Sequence, residues 1–581
     1  MRMGHSTAMR SATAASKAMR RSVALVAATV IAGMIMALGG CSATNGSGGM
    51  FGGTGNNASS AKTQSFTPAK GKAMATLRIA SGSENKEVAD AIQQAVDSSK
   101  VAVTLDYMGS LDIMTTLNGG GGDYDAVWPA SSIWISMGDT KHIVKEQQST
   151  STTPIVFGIA KSKAVSLGWA SGDGTTTPVS TADLIKAVKS GDLTFSMTSA
   201  TQSNSGASAY LAFLTALSGK NQALTADDLN DATLQDSVKT LLSGVDRSSG
   251  SSDWLKDMVV ADPGRFDAMV NYESLVIAAD KQLTADGKDP LLAVYPSDGI
   301  AVSDSPLGYV DRGQAQSVSD AYGAFAKALE SKDCKLLFER AGRRTGLGGT
   351  LAYSSDHAVQ QAFRAEWGIT TGSDALKAIP MPAASVISQA LNIYQHNLRK
   401  PSWTVWVVDY SGSMSGDGKD GVVRGLNAAL DKTEATASMI EPGDGDVNIL
   451  IPFNQTAMTP VRADGTDTAA LLDHAEELAA DGGTNIYDGL NAALSANMPS
   501  DPGRYTTAIV LMTDGQSETA DRSSFQDRHR SEERRVPIFP IMFGDADPDQ
   551  LKDIASLSNA KVFDGRSGDL AAVFRQVKGY N

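Results

Sequence analysis

The stretch from Thr404 to Ser413, which reads TVWVVDYSGS, decides the fold of the C-terminal part of the chain. Its first five residues are apolar or β-branched, and the sequence changes at Asp409 to an acidic, hydroxyl-rich turn. Continuous runs of this kind are typical of strands that are buried on both faces of a parallel sheet. Ligands of open α/β sheets bind beyond the carboxyl ends of the strands, which is where such a turn lies. The stretch therefore predicts a parallel sheet with a polar site at its edge.

Three further apolar runs follow along the chain. They are Val447 to Pro452 (VNILIP), Thr506 to Met512 (TTAIVLM) and Val536 to Phe543 (VPIFPIMF). Apolar residues at helical spacing lie between the runs. They are Val422, Val423, Leu426, Ala429 and Leu430 in one segment, and Ala469, Leu472, Ala475 and Leu478 in another. This alternation predicts a doubly wound α/β domain with a mostly parallel sheet.

Five side chains that carry oxygen lie in three loops of this predicted domain. They are Asp409, Ser411, Ser413, Thr484 and Asp514. Carboxylates and hydroxyls are hard ligands of the kind that Mg²⁺ or Mn²⁺ prefers. Three loops that meet at one sheet edge would hold such an ion without enclosing it, which leaves a coordination position for a carboxylate of another molecule. We expect the side chain of Asp409 to project into solvent at this edge.

These residues resemble the metal-ion-dependent adhesion site of the von Willebrand factor type A domain. The matching pattern is Asp-x-Ser-x-Ser from Asp409 to Ser413, then the threonine Thr484, then the aspartate Asp514 after a central strand. The resemblance covers about residues 402 to 581. It implies Mg²⁺ or Mn²⁺, with Ca²⁺ less favoured, bound by the serines and the threonine, while the aspartates act directly or through water. It also implies a protein partner that binds through the metal; a polar strand-to-helix turn without metal is the alternative.

The first forty residues predict an export signal. Five basic residues and no acid accompany an apolar run from Ser22 to Leu38, and Gly39-Gly40-Cys41 follows. A basic start, an apolar stretch and small residues describe a secretory signal peptide. Leu38 to Cys41 resembles the bacterial lipobox, in which the cysteine is diacylated and becomes the new N-terminus. We therefore predict a signal peptide over 1–40 and a lipoprotein anchored by Cys41 to the extracytoplasmic face of the cell membrane; an uncleaved transmembrane segment is the alternative.

Composition excludes several classes of protein. The chain has 581 residues, with 50 basic and 64 acidic side chains and a net charge of −14. Nucleic-acid binding depends largely on Lys and Arg, so we expect no nucleic-acid partner. The two cysteines, Cys41 and Cys334, exclude a disulfide framework and a Cys-based zinc site. No G-x-S-x-G motif precedes a suitable His and Asp set, so we expect a binding protein and not an enzyme.

Two segments are predicted to be linkers between folded regions or to the anchor. Gly, Ser, Asn and Thr dominate residues 41–74, which predicts a flexible tether. Residues 371–401 predict a linker with a helix from about Ala383 to Leu398, which begins after Pro382 and ends before Pro401. The apolar stripe of this helix is expected to pack on a domain.

Residues 75–370 contain a second α/β series, with the apolar runs Thr76 to Ala80, Val101 to Leu105 and Pro154 to Ala160. Their order resembles the type II periplasmic solute-binding proteins. The stretches that carry the resemblance are Asp123 to Ser132 (DYDAVWPASS), Ser203 to Ala207 (SNSGA) and Tyr295 to Gly299 (YPSDG). The resemblance implies two α/β lobes around a ligand cleft.

In that family, polar loops at helix starts line the cleft, where backbone N–H groups and the helix dipole favour anions. The residues that correspond here are Ser81, Gly82, Ser83, Ser131, Ser132, Ser203, Asn204, Ser205 and Gly206, with Tyr272 and Glu273 as further cleft candidates. The resemblance implies a small molecule or anion as ligand, and for each serine an ordinary helix N-cap is the alternative.

Two functions remain open. In the first, the chain is a surface lipoprotein that binds a protein partner through the metal site and carries a solute-binding-like module. In the alternative, it is the substrate-binding component of a transport system, and the C-terminal domain is accessory. Fusion to an adhesion-type domain favours the first, because transport alone does not need it.

Overall fold

The computed structural model describes residues 62–372, 376–436, 439–517, 520–532, 535–567 and 570–580. The predicted signal peptide, Cys41 and most of the predicted tether lie outside these ranges. Within the described ranges, no helix has both the length and the apolar character needed to cross a membrane.

The N-terminal region alternates between strands and helices. Its strands are β1 (Thr63–Phe66), β2 (Ala75–Gly82), β3 (Val101–Met108), β4 (Ala126–Trp128), β5 (Val144–Ser149), β6 (Thr153–Ala160), β7 (Phe195–Thr198), β8 (Val245–Ser249), β9 (Ala268–Tyr272), β10 (Leu291–Val294), β11 (Val302–Ser303) and β12 (Pro306–Val310). Its helices are α1 (Ala89–Ser99), α2 (Ser110–Asn118), α3 (Ser132–Gly138), α4 (Lys161–Ser166), α5 (Thr181–Lys189), α6 (Asn204–Leu217), α7 (Ala226–Leu229), α8 (Ala232–Leu242), α9 (Ser252–Ala261), α10 (Glu273–Ala285), α11 (Gln316–Leu329), α12 (Lys332–Arg340) and α13 (His357–Ala362).

The first lobe is built on a sheet with the strand order β1-β3-β2-β4-β12-β5. The central strand β2 is parallel to β3 and β4, whereas β1, β12 and β5 join antiparallel. Leu77, Ile79 and Val103 on these strands are fully buried in a core that α1 and α11 cover. The apolar runs predicted at Thr76 and Val101 are therefore the centre of this lobe.

The second lobe is built on the order β10-β6-β9-β7-β8, with β11 paired to β6. Strand β7 is parallel to β8 and β9, and β6 is antiparallel to β9 and β10. Phe157 of β6 packs on Phe195 and Phe213, with ring centroids 5.4 and 5.9 Å away. These contacts hold α6 on the sheet.

The described chain passes between the lobes at three places. Residues 150–152 lead from β5 to β6, and residues 304–305 lead from β11 back to β12. After α12 the chain returns to the second lobe, where the backbone of Arg344 pairs with that of Thr152. Each lobe is thus made from separate stretches of sequence, and the predicted two-lobed α/β architecture is confirmed.

The predicted tether ends earlier than residue 74. Strand β1 lies inside it and pairs antiparallel with β3, with Thr63 opposite Asp106 and Phe66 opposite Val103. Phe66 is buried in the core of the first lobe. The boundary of the tether is therefore corrected. Polar residues are suited to the edge strand of a sheet as well as to a tether, and the hydroxyl of Thr63 donates to Asp106 at 2.7 Å.

The predicted linker helix is α14 (Ala384–Ile393), and a π-helical turn, Tyr394–Leu398, extends it. Its stripe is buried in the core of the second lobe. The hydroxyl of Tyr210 donates to the carbonyl of Ala390 at 2.9 Å, and the rings of Tyr210 and Tyr394 lie 5.2 Å apart. The stripe therefore packs on a domain, as its spacing predicts.

The C-terminal domain is a doubly wound α/β sheet. Its strands are β13 (Ser402–Asp409), β14 (Val447–Phe453), β15 (Val461–Asp464), β16 (Thr506–Thr513), β17 (Ile538–Met542) and β18 (Phe563–Asp564). Its helices are α15 (Asp417–Leu430), α16 (Lys432–Thr436), α17 (Ala469–Glu477), α18 (Ile486–Ala496), α19 (Arg522–Ser531), α20 (Pro548–Ser556) and α21 (Leu570–Lys578). The strand order is β15-β14-β13-β16-β17-β18, and β15 alone among these described strands runs antiparallel. Helices α15, α17 and α21 cover one face and α18, α19 and α20 the other, so the strands are buried on both faces, as the apolar runs predict.

The C-terminal domain packs on the second lobe through β8 and α9. Trp254 of α9 lies against Phe539 and Tyr580, with ring centroids 6.4 and 5.0 Å away. Arg247 of β8 donates to the carbonyls of Ser558 and Asn559 at 3.3 and 3.0 Å. This contact joins residues that lie about 300 positions apart in the sequence.

Candidate metal site and interlobe cleft

Parallel register brings three loops to one edge of the C-terminal sheet. Val408 of β13 lies opposite Met512 of β16, and Asp409 lies opposite Phe453 of β14. The strands therefore end at the same level, and the turns that follow them meet there.

Asp409 is the last residue of β13 and is 1% exposed. One of its carboxylate oxygens accepts from the backbone N–H of Ser411 at 2.8 Å, and the other accepts from the hydroxyl of Thr513 at 2.6 Å. The expectation that Asp409 projects into solvent is wrong, because both oxygens turn inward to these donors. Burial, together with the negative charge of Asp514, raises the pKa of the Asp409 carboxyl.

A chain of hydroxyls links the turn after β13 to the loop after β16. The Oγ atoms of Ser411 and Ser413 lie 3.1 Å apart, and the hydroxyl of Ser413 donates to the carboxylate of Asp514 at 2.8 Å. Asp514 is half-buried. The hydroxyls thus stand between two carboxylates.

Thr484 reaches the same place from the loop before α18. The N–H of Gly412 donates to the carbonyl of Gly482 at 3.0 Å, and Gly482 has a φ of +77°, which favours glycine. A Cβ built on Gly515 would lie 3.1 Å from Thr484 Oγ1, so the absence of a side chain at Gly515 allows this close approach. The structure therefore brings together all five predicted residues.

The donor set suits a small, hard divalent cation. Three hydroxyl oxygens and two carboxylates lie close to one another, and a cation would offset both the burial of the Asp409 charge and its repulsion by Asp514. In the described part of the chain, no group of three or more His, Cys, Asp or Glu side chains is arranged to hold a metal ion. The five-residue set has only two such side chains, and its other three donors are hydroxyls.

The predicted cleft residues divide into two groups. Asn204 belongs to the group that meets across the lobes: its side chain accepts from Trp134 Nε1 of the first lobe at 2.7 Å and donates to the hydroxyls of Tyr272 and Ser303, each at 2.9 Å. The hydroxyl of Ser83 lies 3.2 Å from that of Ser251 on the second lobe. The lobes are thus in contact across the cleft.

The other serines and glycines serve local structure. Ser131 caps α3, and the N–H of Ser132 donates to Asp304 at 2.8 Å. Ser203 and Ser205 both bond to the hydroxyl of Ser252, and Ser81 accepts from Asn85. Gly82 and Gly206 permit tight packing, because an added Cβ would lie 2.1 Å from the Glu84 carboxylate and 2.1 Å from the Thr198 carbonyl respectively.

Glu273 is not free to bind a ligand. Its carboxylate accepts two hydrogen bonds from Arg344, both at 2.7 Å, and a third from the hydroxyl of Tyr295. Both members of the ion pair have fully buried side chains. The prediction that Glu273 lines the cleft is therefore corrected: the residue joins α10 to the returning chain after α12.

Sequence reasoning missed two charged residues in the cleft. Arg343 is buried between the lobes and donates to the carbonyl of Glu84 at 2.9 Å and to the hydroxyl of Ser305 at 3.4 Å. Burial raises the pKa of the Glu84 carboxyl, although the charge of Arg343 opposes this shift. The sequence signal for this cluster was the basic pair Arg343-Arg344 after a helix. Such a pair usually indicates a solvated helix end, where cations are favourable.

Comparison with known proteins gives one family match. Residues 405–576 match the model of the von Willebrand factor type A domain. No curated protein matches the chain.

Several solved structures are similar to parts of the chain. The periplasmic binding protein AfuA from Actinobacillus pleuropneumoniae has 13% identity over 55% of this chain and 98% of its own, with a TM-score of 0.40. The GacH receptor of Streptomyces glaucescens has 16% identity over 55% of this chain and 92% of its own, with a TM-score of 0.37. The von Willebrand factor type A protein from Catenulispora acidiphila has 22% identity over 31% of this chain and 42% of its own, with a TM-score of 0.26. The chain thus combines a two-lobed α/β region with a C-terminal von Willebrand factor type A domain, whose model matches residues 405–576.

Proposed function

We propose that this chain is an extracytoplasmic lipoprotein that binds a protein partner through a divalent cation held by its von Willebrand factor type A domain. The observation that carries the proposal is the meeting of Asp409, Ser411, Ser413, Thr484 and Asp514 at one sheet edge. A set of two carboxylates and three hydroxyls suits Mg²⁺ or Mn²⁺.

The residues around the site fix the donors in place. Two hydrogen bonds hold the carboxylate of Asp409, and the backbone bond from Gly412 to Gly482 ties the Thr484 loop to the turn after β13. A cation at this edge would supply a coordination position for a carboxylate of the partner. The chain's own role is to hold the five side chains in place, so we propose binding and not catalysis.

Metal binding is tested by calorimetric titration of Mg²⁺, Mn²⁺ and Ca²⁺ into the full chain. We expect Mg²⁺ and Mn²⁺ to bind and Ca²⁺ to bind more weakly, because Ca²⁺ takes six to eight oxygens. Thr484→Ala removes one hydroxyl ligand from an exposed loop and should weaken the binding of both Mg²⁺ and Mn²⁺. A wild-type chain that binds neither Mg²⁺ nor Mn²⁺ contradicts the proposal.

The anchor gives a prediction of its own. Replacing Cys41 with serine should abolish acylation and membrane retention, because one residue would carry the acyl chains on which stable anchoring depends. Labelled palmitate incorporation and membrane fractionation measure this. Cys334→Ala is the matched control, since Cys334 is buried in the first lobe and cannot be acylated there. A Cys41→Ser chain that keeps both label and membrane association contradicts the lipoprotein assignment.

A receptor for a polar solute is a second candidate function, and it corresponds to the transport-system alternative. It is favoured by three buried polar atoms that make no hydrogen bond within the described residues: Glu84 Oε1, Asn85 Oδ1 and Arg343 Nε. Glu84 and Asn85 belong to the first lobe, and Arg343 stands where the chain crosses between the lobes. Buried polar atoms of this kind require a partner such as a ligand or water.

A thermal-shift screen of anions, sugars and small peptides against the full chain tests this receptor function. A true ligand bridges the lobes and stabilises them by about 2.7 kcal/mol at a concentration of 100 times its Kd. Asn204→Ala should remove the shift, because Asn204 connects the two lobes, whereas the exposed Asn392→Ala on α14 should keep it. A screen without any shift would indicate a purely structural module.

A further inference from the structure

A cleft of about 500 Å³ lies between the second lobe and the von Willebrand factor type A domain. It is separate from both the metal site and the interlobe cleft, since its lining includes the start of β8 on one side and the 498–507 loop on the other. Ligand pockets for small organic molecules occupy about 300–1,000 Å³ and occur preferentially where domains meet. The cleft therefore has the size and the position of a ligand site.

One wall of the cleft is apolar. Met498, Pro499 and Tyr505 contribute from the von Willebrand factor type A domain, and Val188 and Leu193 contribute from the second lobe. Such side chains favour the aliphatic or aromatic body of a ligand, because its burial there removes apolar surface from water.

The rest of the lining is charged, with an excess of positive groups. Arg247, Arg265 and Lys400 face two acids, Asp246 and Glu532. The carboxylate of Asp246 is already engaged, because it accepts from the hydroxyl of Ser196 at 2.9 Å and from that of Thr194 at 3.5 Å. The lining therefore has a net charge of one positive unit.

Arg247 is the cation of the lining whose hydrogen bonds are incomplete. It is 3% exposed, its two terminal nitrogens donate to backbone carbonyls, and its Nε makes no hydrogen bond within the described residues. Burial, and then repulsion by Arg265, lower the pKa of Arg247 to about 9. The charge of Asp246 opposes this shift, and a further anion would stabilise the two neighbouring guanidinium groups.

A second polar atom in the lining lacks a partner. Thr507 Oγ1 is buried and makes no hydrogen bond in the part of the chain that the structure describes. Thr507 lies on β16 of the von Willebrand factor type A domain, whereas Arg247 lies on the second lobe. An occupant of the cleft would thus satisfy polar atoms from both sides.

We propose that this cleft binds a soluble organic anion, with its acidic head at Arg247 and Arg265 and its apolar body against Met498, Pro499 and Tyr505. The positive excess of the lining favours an acid over a neutral analogue of the same shape. Because both domains line the cleft, the bound anion holds the von Willebrand factor type A domain on the second lobe.

The test is calorimetric titration of the full chain with 3-phenylpropionate and with its neutral analogue 3-phenylpropan-1-ol. We expect the acid to bind at least about tenfold more tightly than the alcohol. Arg265→Gln should weaken binding of the acid by about tenfold, and Tyr505→Ala should weaken binding of both compounds. Arg566→Gln, at an exposed arginine paired with Asp564 on another part of the domain, should leave both titrations unchanged.

A variant that gains affinity for the acid separates loss of the site from loss of the fold, because a misfolded chain would not bind more tightly. Glu532→Gln removes one negative charge from the lining, so the acid should bind several-fold more tightly while the alcohol binds as before. No binding of the acid to the wild type, equal binding of acid and alcohol, or the same affinity in Arg265→Gln and Glu532→Gln as in the wild type would overturn the proposal.

Discussion

Asp409→Ala is expected to lower the affinity of the full chain for Mg²⁺ and Mn²⁺ by at least about 100-fold, which is about 2.8 kcal/mol at 1.4 kcal/mol per tenfold. Asp409 supplies one of the two negative charges at the site, and two hydrogen bonds fix its carboxylate in place. The four remaining residues offer three hydroxyls and one carboxylate. A divalent ion gives up hydration water reluctantly, so this weaker set should not retain it.

The substitution also removes an acceptor from the Ser411 N–H and the Thr513 hydroxyl, which would cost about 1–3 kcal/mol of stability for a buried group. Asp409→Asn separates the two effects, because it keeps the volume and an acceptor oxygen but loses the charge. We expect Asp409→Asn to fold like the wild type and still to lose the metal. Calorimetric titration measures the affinity, and Asp527→Ala, at a highly exposed aspartate on α19, is the control that should bind as the wild type does. Equal metal affinity in the wild type and both Asp409 variants contradicts the site.

Glu273→Gln is expected to destabilise the second lobe by about 3–5 kcal/mol, which is the usual effect of breaking a buried ion pair. Arg344 has a fully buried side chain and makes both of its bonds to Glu273 at 2.7 Å. Gln keeps the shape but removes the charge, and the guanidinium then stays buried without a counter-ion. Arg344 also donates to the carbonyls of Gly349 and Thr370, so the loss should loosen the chain that follows α12.

Hydrogen exchange is the suitable measurement, because a chain with several domains does not unfold in a single two-state step. Amides of α10 and of the segment near Arg344 should lose protection, while those of β13 and β16 should not. Glu366→Gln is the matched control: its pair with Arg364 is exposed and 3.8 Å long, and such pairs contribute about 0–1 kcal/mol. The double variant Glu273→Met/Arg344→Met should recover part of the loss: it leaves no orphan charge, but the carbonyls of Gly349 and Thr370 lose their donor. Equal protection in Glu273→Gln and the wild type would contradict the structural role.

The strands of the C-terminal domain could be predicted because each is an apolar run that needs burial on both faces. The run predicted as Thr404 to Val408 is the centre of β13, and the run from Thr506 to Met512 differs from β16 by one residue. The five residues of the metal site could be grouped for a related reason. In a parallel sheet the residues that follow the strands share one edge, so the sequence places Asp409 and Asp514 at that edge, and the pairing of β13 with β16 brings them together.

The tertiary structure alone decided the features that depend on contacts between distant segments. The sequence indicated neither that Thr63–Phe66 would leave the tether to pair with β3 nor that Asp409 would turn inward to Thr513. It also left open which acid Arg344 would meet, because that choice depends on how the chain returns after α12. A local pattern determines which face of a strand or helix is apolar. The partner of a polar side chain is set only when separate elements pack, because a buried charge or donor is stable only beside a group that the rest of the fold supplies.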